Sequence, residues 1–252
     1  MRNYIIATFL AISFFAPGPV VLAGPRDRST IDNAIDTLND LQMSRERNIP
    51  PALLRDANAV VIAPDLVKGG FVIAARHGHG VLLVKDKNGG WSNPVFVTIT
   101  GASLGVQAGV QKTDVFLVIR NQRSLERIMR GAGKLTLGAD AAVAAGPVGR
   151  QVSADTDAML RAEILSYSLN RGIFAGVALE GDTLRVDPAA NDRFYGTREV
   201  SVADIVGGKV AAPESAVALR AKLSQWTAVK AEIVPPAPPA PIQLEPPILP
   251  RP

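Results

Sequence analysis

The sequence predicts an α+β domain: a curved antiparallel β-sheet or sandwich, barrel-like in shape, with packed N- and C-terminal helices. Three observations predict this class. Of the 252 residues, 47% are apolar and 20% are charged, which is enough apolar material for one buried core. The middle of the chain alternates between apolar and polar residues in short segments separated by glycine-rich turns, as strands do. Segments before and after this region have the apolar spacing of amphipathic helices.

Four helices are predicted: one at each end of the domain and two between them. The first is capped by Ser29-Thr30, buries apolar positions from Ile31 onward, and turns three carboxylates to water: Asp32, Asp36 and Asp40. A short helix at 52–57 follows two prolines. The helix at 121–130 turns Leu125 and Ile128 inward, and the closing helix occupies 213–231.

Strands account for most of the sequence between the helices. The alternation at 102–110 favours a strand over the glycine-faced helix that Gly101, Gly105 and Gly109 suggest. Turns are predicted at Gly78 and Gly80, at 87–90, at 111–113 and at 180–182. The predicted strands are 59–63, 71–75, 81–85, 95–100, 102–110, 114–120, 135–143, 161–168, 173–180 and 183–186.

The N-terminus is predicted to be a secretory signal peptide. Residues 1–3 form a short basic segment with one arginine, residues 4–16 are apolar, and Val21-Leu22-Ala23 fits the small-residue cleavage rule. Cleavage after Ala23 predicts a periplasmic or secreted protein. The predicted organisation is a signal peptide at 1–23, a linker at 24–30, a folded domain at 31–231 and a proline-rich disordered tail at 232–252.

Composition excludes several classes of function. The chain has no cysteine and two histidines, so disulfides, thiolate metal sites and a cysteine nucleophile are excluded and a multi-histidine centre is not expected. A net charge of +4 is too weakly basic to indicate nucleic acid as a partner. We therefore expect no cofactor, no metal and no nucleic acid.

Four residues or pairs are candidates for metal binding, catalysis or a structural role. His77 and His79 lie on one side of a strand or at an exposed hairpin tip, and the intervening glycine favours the tip. Ser103 has the glycine spacing of a hydrolase nucleophile, but the alternation around it is that of a strand, not of a strand-turn-helix elbow. Asp114 is predicted to cap a turn. Asp140 either faces water or needs a buried partner such as Arg150 or Arg161, and pairing is the favoured interpretation.

Basic residues recur near the first predicted hairpins: Lys68, Arg76, Lys85, Lys87 and Lys112. One interpretation is a set of solvated strand ends and turns. The other is a cationic rim that holds anionic headgroups while Phe71 or Leu66 meets acyl chains.

Nine short motifs follow one another along the chain. They are Pro64-x-x-x-Lys68-Gly69-Gly70-Phe71, Gly78-x-Gly80-x-x-Leu83, Trp91-Ser92-x-Pro94, Gly101-x-Ser103-x-Gly105-x-Gln107-x-Gly109, Lys112-Thr113-Asp114, Leu137-Gly138-Ala139-Asp140, Ala145-Gly146-Pro147-x-Gly149-Arg150, Tyr167-Ser168 and Gly172-x-Phe174-Ala175-Gly176-Val177. Their order resembles that of SYLF domains, from about Ile31 to Gly196. Ala75 and His79 depart from the pattern, where glycine or a basic residue is expected.

The resemblance implies lipid binding without catalysis. Eukaryotic members of the family bind phosphoinositides and, in yeast actin-patch proteins, actin; the signal peptide indicates a bacterial exported form, for which actin is not expected. We predict a non-enzymatic envelope protein that binds anionic phospholipid, of the phosphatidylinositol type or another, or a membrane surface. The predicted lipid-binding residues are Lys68, Phe71, Arg76, Lys85 and Lys112. Two alternatives stay open: an envelope structural or protein-interaction module tethered by the proline-rich tail, and third a serine hydrolase.

Overall fold

The protein is built around one β-sheet, and its structure is a computed structural model. The structure describes residues 25–43, 49–70, 73–104, 109–130, 133–148, 161–170, 173–177 and 179–232. Within these ranges the strands are β1 (Ala59–Gly70), β2 (Ile73–Val84), β3 (Val95–Leu104), β4 (Gly109–Ile119), β5 (Lys134–Thr136), β6 (Val143–Ala145), β7 (Ile164–Asn170), β8 (Ile173–Gly176) and β9 (Thr183–Val186). The helices are α1 (Pro25–Met43), α2 (Pro51–Arg55), α3 (Gln122–Met129), α4 (Pro188–Tyr195), α5 (Val202–Val206) and α6 (Glu214–Glu232).

The strand order forces the sheet to curl. That order is β5-β9-β3-β2-β1-β4-β7-β6, with β8 paired to β7. The edge strands β5 and β6 are joined only by residues 137–142, and a link of that length reaches at most about 25 Å. A flat sheet of eight strands would separate its edges by about 34 Å. The sheet therefore forms a half-barrel, and the predicted α+β class with a curved sheet is confirmed. Its pairs are antiparallel except β6 with β7, so the sheet is mixed.

Three helices cover one side of the sheet, which we call the helix face. Trp226 of α6 packs on Phe116 of β4 with ring centroids 5.5 Å apart. Phe194 of α4 packs on Phe96 of β3 with centroids 4.9 Å apart. The helix α1 lies across β1 and β2 on the same side. None of the described helices is both long and apolar enough to cross a bilayer.

The opposite side, the inner face, packs against itself. Val61, Leu82, Leu117 and Leu184 point away from the three covering helices by the register of their strands. They are nevertheless fully buried, because the curl brings the inner-face side chains of different strands together. The helix α3 contacts the neighbouring strands β5 and β9 and also β4, which is separated from β9 by β3, β2 and β1. It therefore closes one end of the curl.

The first helix confirms the predicted amphipathic pattern but not its cap. Ile31 and Leu38 are buried, whereas the three carboxylates that were predicted to face water are exposed. The predicted N-cap is wrong, since the helix begins at Pro25 and Ser29 and Thr30 lie inside it, where both hydroxyls donate to the carbonyl of Arg26. Asp27 in the first turn instead accepts two hydrogen bonds from the guanidinium of Arg193 on α4.

The predicted turn at Gly78 and Gly80 is wrong, because both glycines lie within β2. A bulge in β1 between Ile62 and Val67 presses the backbone of β1 against them. A Cβ atom on Gly80 would lie 2.5 Å from the carbonyl oxygen of Ile62. Glycine here permits close approach of two strands, which sequence alone does not distinguish from a reversal.

The predicted strand at 102–110 and turn at 111–113 are also corrected. β3 ends at Leu104, β4 begins at Gly109, and residues 111–113 pair with β1 as part of β4. The apolar-polar alternation runs through both strands and through their connection. Periodicity therefore detected the extended chain but missed the place where it reverses.

The predicted strand at 135–143 is interrupted by a turn. Gly138 adopts φ 85 in this turn, between β5 and β6. Asp140 lies in the turn, accepts a hydrogen bond from the backbone of Thr136 and pairs with Arg127 at 3.3 Å. The predicted pairing with Arg161 is wrong, because Asp140 is exposed at the sheet edge; Arg150 lies outside the described residues.

We expect Gly80→Ala to destabilise the protein more than Gly78→Ala. The added methyl at position 80 meets backbone, whereas at position 78 the nearest atom is the terminal Cδ1 of Leu66, 2.8 Å away, which can rotate aside. Overpacking of this kind costs about 1–3 kcal/mol. Thermal or urea unfolding of the two variants measures the difference. Equal tolerance of both would show that β1 and β2 do not approach as described.

Candidate functional site

A row of polar and charged residues crosses the inner face, two residues before β1 ends. Gln111 of β4, Lys68 of β1, Arg76 of β2 and Gly101 of β3 stand side by side in register. Asp182, just before β9, completes the row. We call these five residues the inner row. Side chains directly opposite each other on antiparallel strands lie on the same face, with Cβ atoms about 4.5–5.5 Å apart, so Lys68 and Arg76 are neighbours.

Arg76 and Asp182 form a buried ion pair in this row. Nη2 of Arg76 lies 3.1 Å from Oδ1 of Asp182, and the two side chains are 12% and 0% exposed. Apart from this contact, the described residues offer no hydrogen-bond partner to Nε of Arg76 or to either carboxylate oxygen of Asp182. Burial raises the pKa of Asp182 to about 6, an effect that the charge of Arg76 only partly opposes.

Gly101 makes the ion pair possible. A Cβ atom built on Gly101 would lie 1.7 Å from Oδ1 of Asp182. The carboxylate therefore occupies the space above Gly101 and reaches across β3 to Arg76. Any side chain at position 101 would separate the two charges or displace the strand.

Lys112 lies at the same end of the sheet but on the other side. It is opposite Val67 in register, so it projects from the helix face. Its Nζ lies 3.4 Å from Oδ1 of Asp65, and both side chains are well exposed, at 65% and 50%. The pair is solvated, and such pairs contribute little to stability.

Strands β1, β3 and β7 end towards this side of the molecule and β2, β4 and β8 begin there, and we call it the hairpin end. Gly70 of β1 pairs with Ala74 of β2 and with Gly109 of β4, and Leu104 of β3 pairs with Ile73 of β2, so these four strands reach one level. β7 stops short of that level, since Leu169, one residue before its end, is opposite Asp114, and its partner β8 returns from there.

Apolar side chains are exposed at the hairpin end. Val110 is 80% exposed and Ile173 is 61% exposed. Both line an open cavity of about 820 Å³ that also includes Lys112, Asp65 and Asp114. The hairpin end thus combines exposed apolar groups with charged groups of both signs.

The prediction that Asp114 caps a turn is wrong, because the residue lies within β4. It accepts hydrogen bonds from the backbone N–H of Asp65 and from the hydroxyl of Thr37 on α1. Partial burial raises its pKa, and these two hydrogen bonds oppose the rise. Its position links the β1 bulge to α1, because Asp114 is on the helix face.

Lys85 is placed at the opposite end of the molecule from the hairpin end. It follows β2, about 30 Å along the chain from Arg76. Its ammonium group donates to the carbonyls of Leu54 and Arg55 and lies 5.6 Å from the ring centroid of Trp91. Burial lowers its pKa. These contacts hold α2 against the sheet.

Phe71, the fifth predicted lipid-binding residue, lies outside the described residues. The backbone of Ser103 pairs with Ala74 inside β3, and the next described element is β4, so the strand-turn-helix of a nucleophile elbow is not formed by the described residues around it.

The two histidines sit within β2, so the predicted hairpin tip is wrong. Their rings are in edge-to-face contact on the helix face, with centroids 5.1 Å apart. Partial burial and the neighbouring His77 lower the pKa of His79. The described residues contain no group of three or more His, Cys, Asp or Glu side chains arranged to hold a metal ion.

Of the five predicted lipid-binding residues, the structure brings Lys68 and Arg76 together and puts Lys112 on the opposite face at the same end. Sequence reasoning missed Asp182, which it treated only as part of a turn. The available signal was Gly101: a glycine inside a strand indicates that something approaches closely, and here it is the Asp182 carboxylate.

A curled sheet with three helices on one face and a charged row on the other makes the protein a single α+β domain. Its family match is to the SYLF type that the sequence motifs resemble. Residues 100–226, half of the chain, match the Ysc84 family, which is described as Las17-binding protein actin regulator. The chain belongs to this family.

Relatives share the domain across most of this chain. SH3 domain-containing YSC84-like protein 1 is 31% identical over 182 residues in both Xenopus laevis and Homo sapiens, covering 72% of this chain and 54% and 52% of those proteins. Protein YSC84 of Saccharomyces cerevisiae is 36% identical over 170 residues, covering 67% of this chain and 36% of that protein. The chain thus spans about a third to a half of these relatives, whose names state no enzymatic activity.

We expect the contribution of Asp182 to the free energy of unfolding to fall as the pH rises from about 4 to about 6. The pKa of Asp182 is raised from 3.8 to about 6 in the folded protein, so the folded state holds this proton where the unfolded chain has released it. By linkage, protonation stabilises the fold there, by at most about 3 kcal/mol.

The comparison is between wild type and Asp182→Asn, by urea unfolding across that range. Other carboxylates titrate in both proteins, so the difference between the two curves isolates Asp182. Its contribution should disappear in the variant. Parallel curves for the two proteins would contradict the assignment.

Proposed function

We propose that the protein is a non-enzymatic module of the bacterial cell envelope that binds membrane surfaces containing anionic phospholipid, and that it does so with the hairpin end. The observation that carries this proposal is the exposure of Val110 and Ile173, which line one cavity with Lys112. Large exposed apolar groups rimmed by charge are typical of surfaces that bind membranes or partners.

The basic residues suited to headgroups are Lys68 and Lys112, one on each face of the hairpin end. Each cation near an anionic membrane contributes about 1 kcal/mol to binding. Lys85 is about 30 Å away along the chain, so we propose no headgroup contact for it in this orientation. Phe71 and Val72 are the residues between β1 and β2, and Phe71 stays a predicted contact.

A protein-interaction module is the second candidate. Its support is the family description, which names Las17 binding. The exposed apolar side chains of the hairpin end suit a protein partner as well as a lipid surface. The two candidates differ in one property: only lipid binding requires anionic vesicles alone, with no other protein present.

We expect Lys68→Ala/Lys112→Ala to weaken co-sedimentation with phosphatidylcholine vesicles that contain phosphatidylglycerol by about 30-fold. That figure follows from two cations at about 1 kcal/mol each and about 1.4 kcal/mol per decade of affinity. Wild-type binding should also weaken as salt rises, because screening shortens the range of these charges.

The matched control is Lys87→Ala/Lys134→Ala, which removes the same charge from exposed positions outside the hairpin end. It should retain at least most of the wild-type binding. If both double variants lose binding equally while circular dichroism shows both folded, net charge and not this surface is responsible. If the wild-type protein does not bind anionic vesicles, the proposal of lipid binding is wrong.

A further inference from the structure

We propose that Lys68 and Arg76 form a binding site for a phosphate-bearing headgroup, and that Asp182 fills this site as an internal counter-ion until it is protonated or displaced. The inference rests on the function proposed above and deepens it, since it adds a gate at the same end of the sheet. Lys68 is two residues from Gly70, where β1 ends, about 7 Å along the strand.

Two like charges stand opposite each other at the centre of this site. Lys68 and Arg76 are cross-strand partners, an arrangement that is unfavourable without a counter-charge. Asp182 supplies one negative charge to Arg76. Lys68 is half-buried and forms no ion pair with the described residues. The inner row therefore carries an excess of one positive charge, which a headgroup phosphate would neutralise.

Hydrogen-bonding capacity at the pair is unused. Nε of Arg76 and both oxygens of Asp182 are buried without a hydrogen-bond partner among the described residues. A guanidinium has five N–H donors in a fork that matches phosphate oxygens. A phosphate would thus satisfy donors that the single carboxylate contact leaves unsatisfied, and in this respect is a better partner for Arg76.

The Asp182 carboxylate occupies a space that it can also leave. The space above Gly101 has no side chain of its own and is filled by the Asp182 carboxylate. Asp182 belongs to the short connection that precedes β9, next to the exposed Gly181. Rotation of this one side chain would open the space beside Arg76.

Few other charges face Asp182 in the described part of the chain. Arg76 faces it from β2 and Lys68 stands next along the row from β1, while β3 and β4 contribute Gly101 and Gln111, which are uncharged. Glu180 is nearby on the same connection and is exposed. His77 and His79 lie on the helix face with their rings in contact, so neither enters the row.

Protonation of Asp182 should therefore open the site. With a pKa of about 6, the carboxyl is about 90% protonated at pH 5 and about 3% protonated at pH 7.5. If the headgroup binds the protonated form, the apparent dissociation constant scales with that fraction. Binding should be up to about 30-fold tighter at pH 5 than at pH 7.5 on account of Asp182.

The first experiment measures binding of wild type and Asp182→Asn to phosphatidylcholine vesicles with and without phosphatidylglycerol, at about pH 5 and about pH 7.5. Asp182→Asn should bind at the higher pH nearly as tightly as wild type does at the lower pH, and its binding should depend much less on pH. Glu180→Gln is the matched control, because it removes one exposed carboxylate two residues away. It should keep the wild-type pH dependence.

The second experiment uses wild type alone, so it does not depend on the stability of a variant. Carboxyl carbon NMR follows the titration of Asp182 with and without soluble glycerol phosphate or inorganic phosphate. If a phosphate binds the protonated form, linkage raises the apparent pKa of Asp182 when the ligand is present. An unchanged titration at saturating ligand would overturn the inference.

The outcomes separate the gate from the function. Vesicle binding that is the same at both pH values, or that depends on pH equally in wild type and Asp182→Asn, overturns the gate and leaves lipid binding standing. A response of Asp182 to soluble phosphate without vesicle binding supports a free phosphate as the ligand and overturns lipid binding. No response in either experiment overturns both.

Discussion

The short link between β5 and β6 is the constraint on which the rest of the structure depends. These strands are the two edges of the sheet, and residues 137–142 hold them together. Leu137 and Ala141 bridge within the link, which tightens it further. A sheet whose edges are tied in this way has to bend, and bending gives it an inside and an outside. Every later property of the molecule follows from that division.

The two sides solve different packing problems. The outside is covered by helices, so large aromatic side chains such as Phe116 and Phe96 fit between sheet and helix. On the inside, the absence of a side chain at Gly80 leaves room for the β1 bulge, and its absence at Gly101 leaves room for the Asp182 carboxylate. At the hairpin end the inside also holds a charged pair. A buried pair gains little net stability from its own attraction, which agrees with the binding role that we propose for it.

The sequence was sufficient to predict what depends on local periodicity. Short apolar runs at 59–63, 81–85 and 114–120 predicted strands, and the spacing of Ile31 and Leu38 predicted α1. It was not sufficient for chain reversals, because the alternation continues through the β3–β4 connection. Nor could it show the partner of Arg76: Asp182 meets Arg76 only through the registers of β2, β3 and β9, and the curl, not any local pattern, determines those registers.

The contacts of the first helix imply an order of assembly. Asp27 in α1 is held by Arg193, which is 166 residues later in the chain, and α1 also packs on α6, the last described helix. In a chain that emerges from its N-terminus, α1 can pack on β1 and β2 early, but its contacts with α4 and α6 form only after almost the whole domain has followed. Closing such long loops is slow relative to forming helices. A truncation that removes α6 therefore leaves part of the α1 surface uncovered even when the sheet has formed.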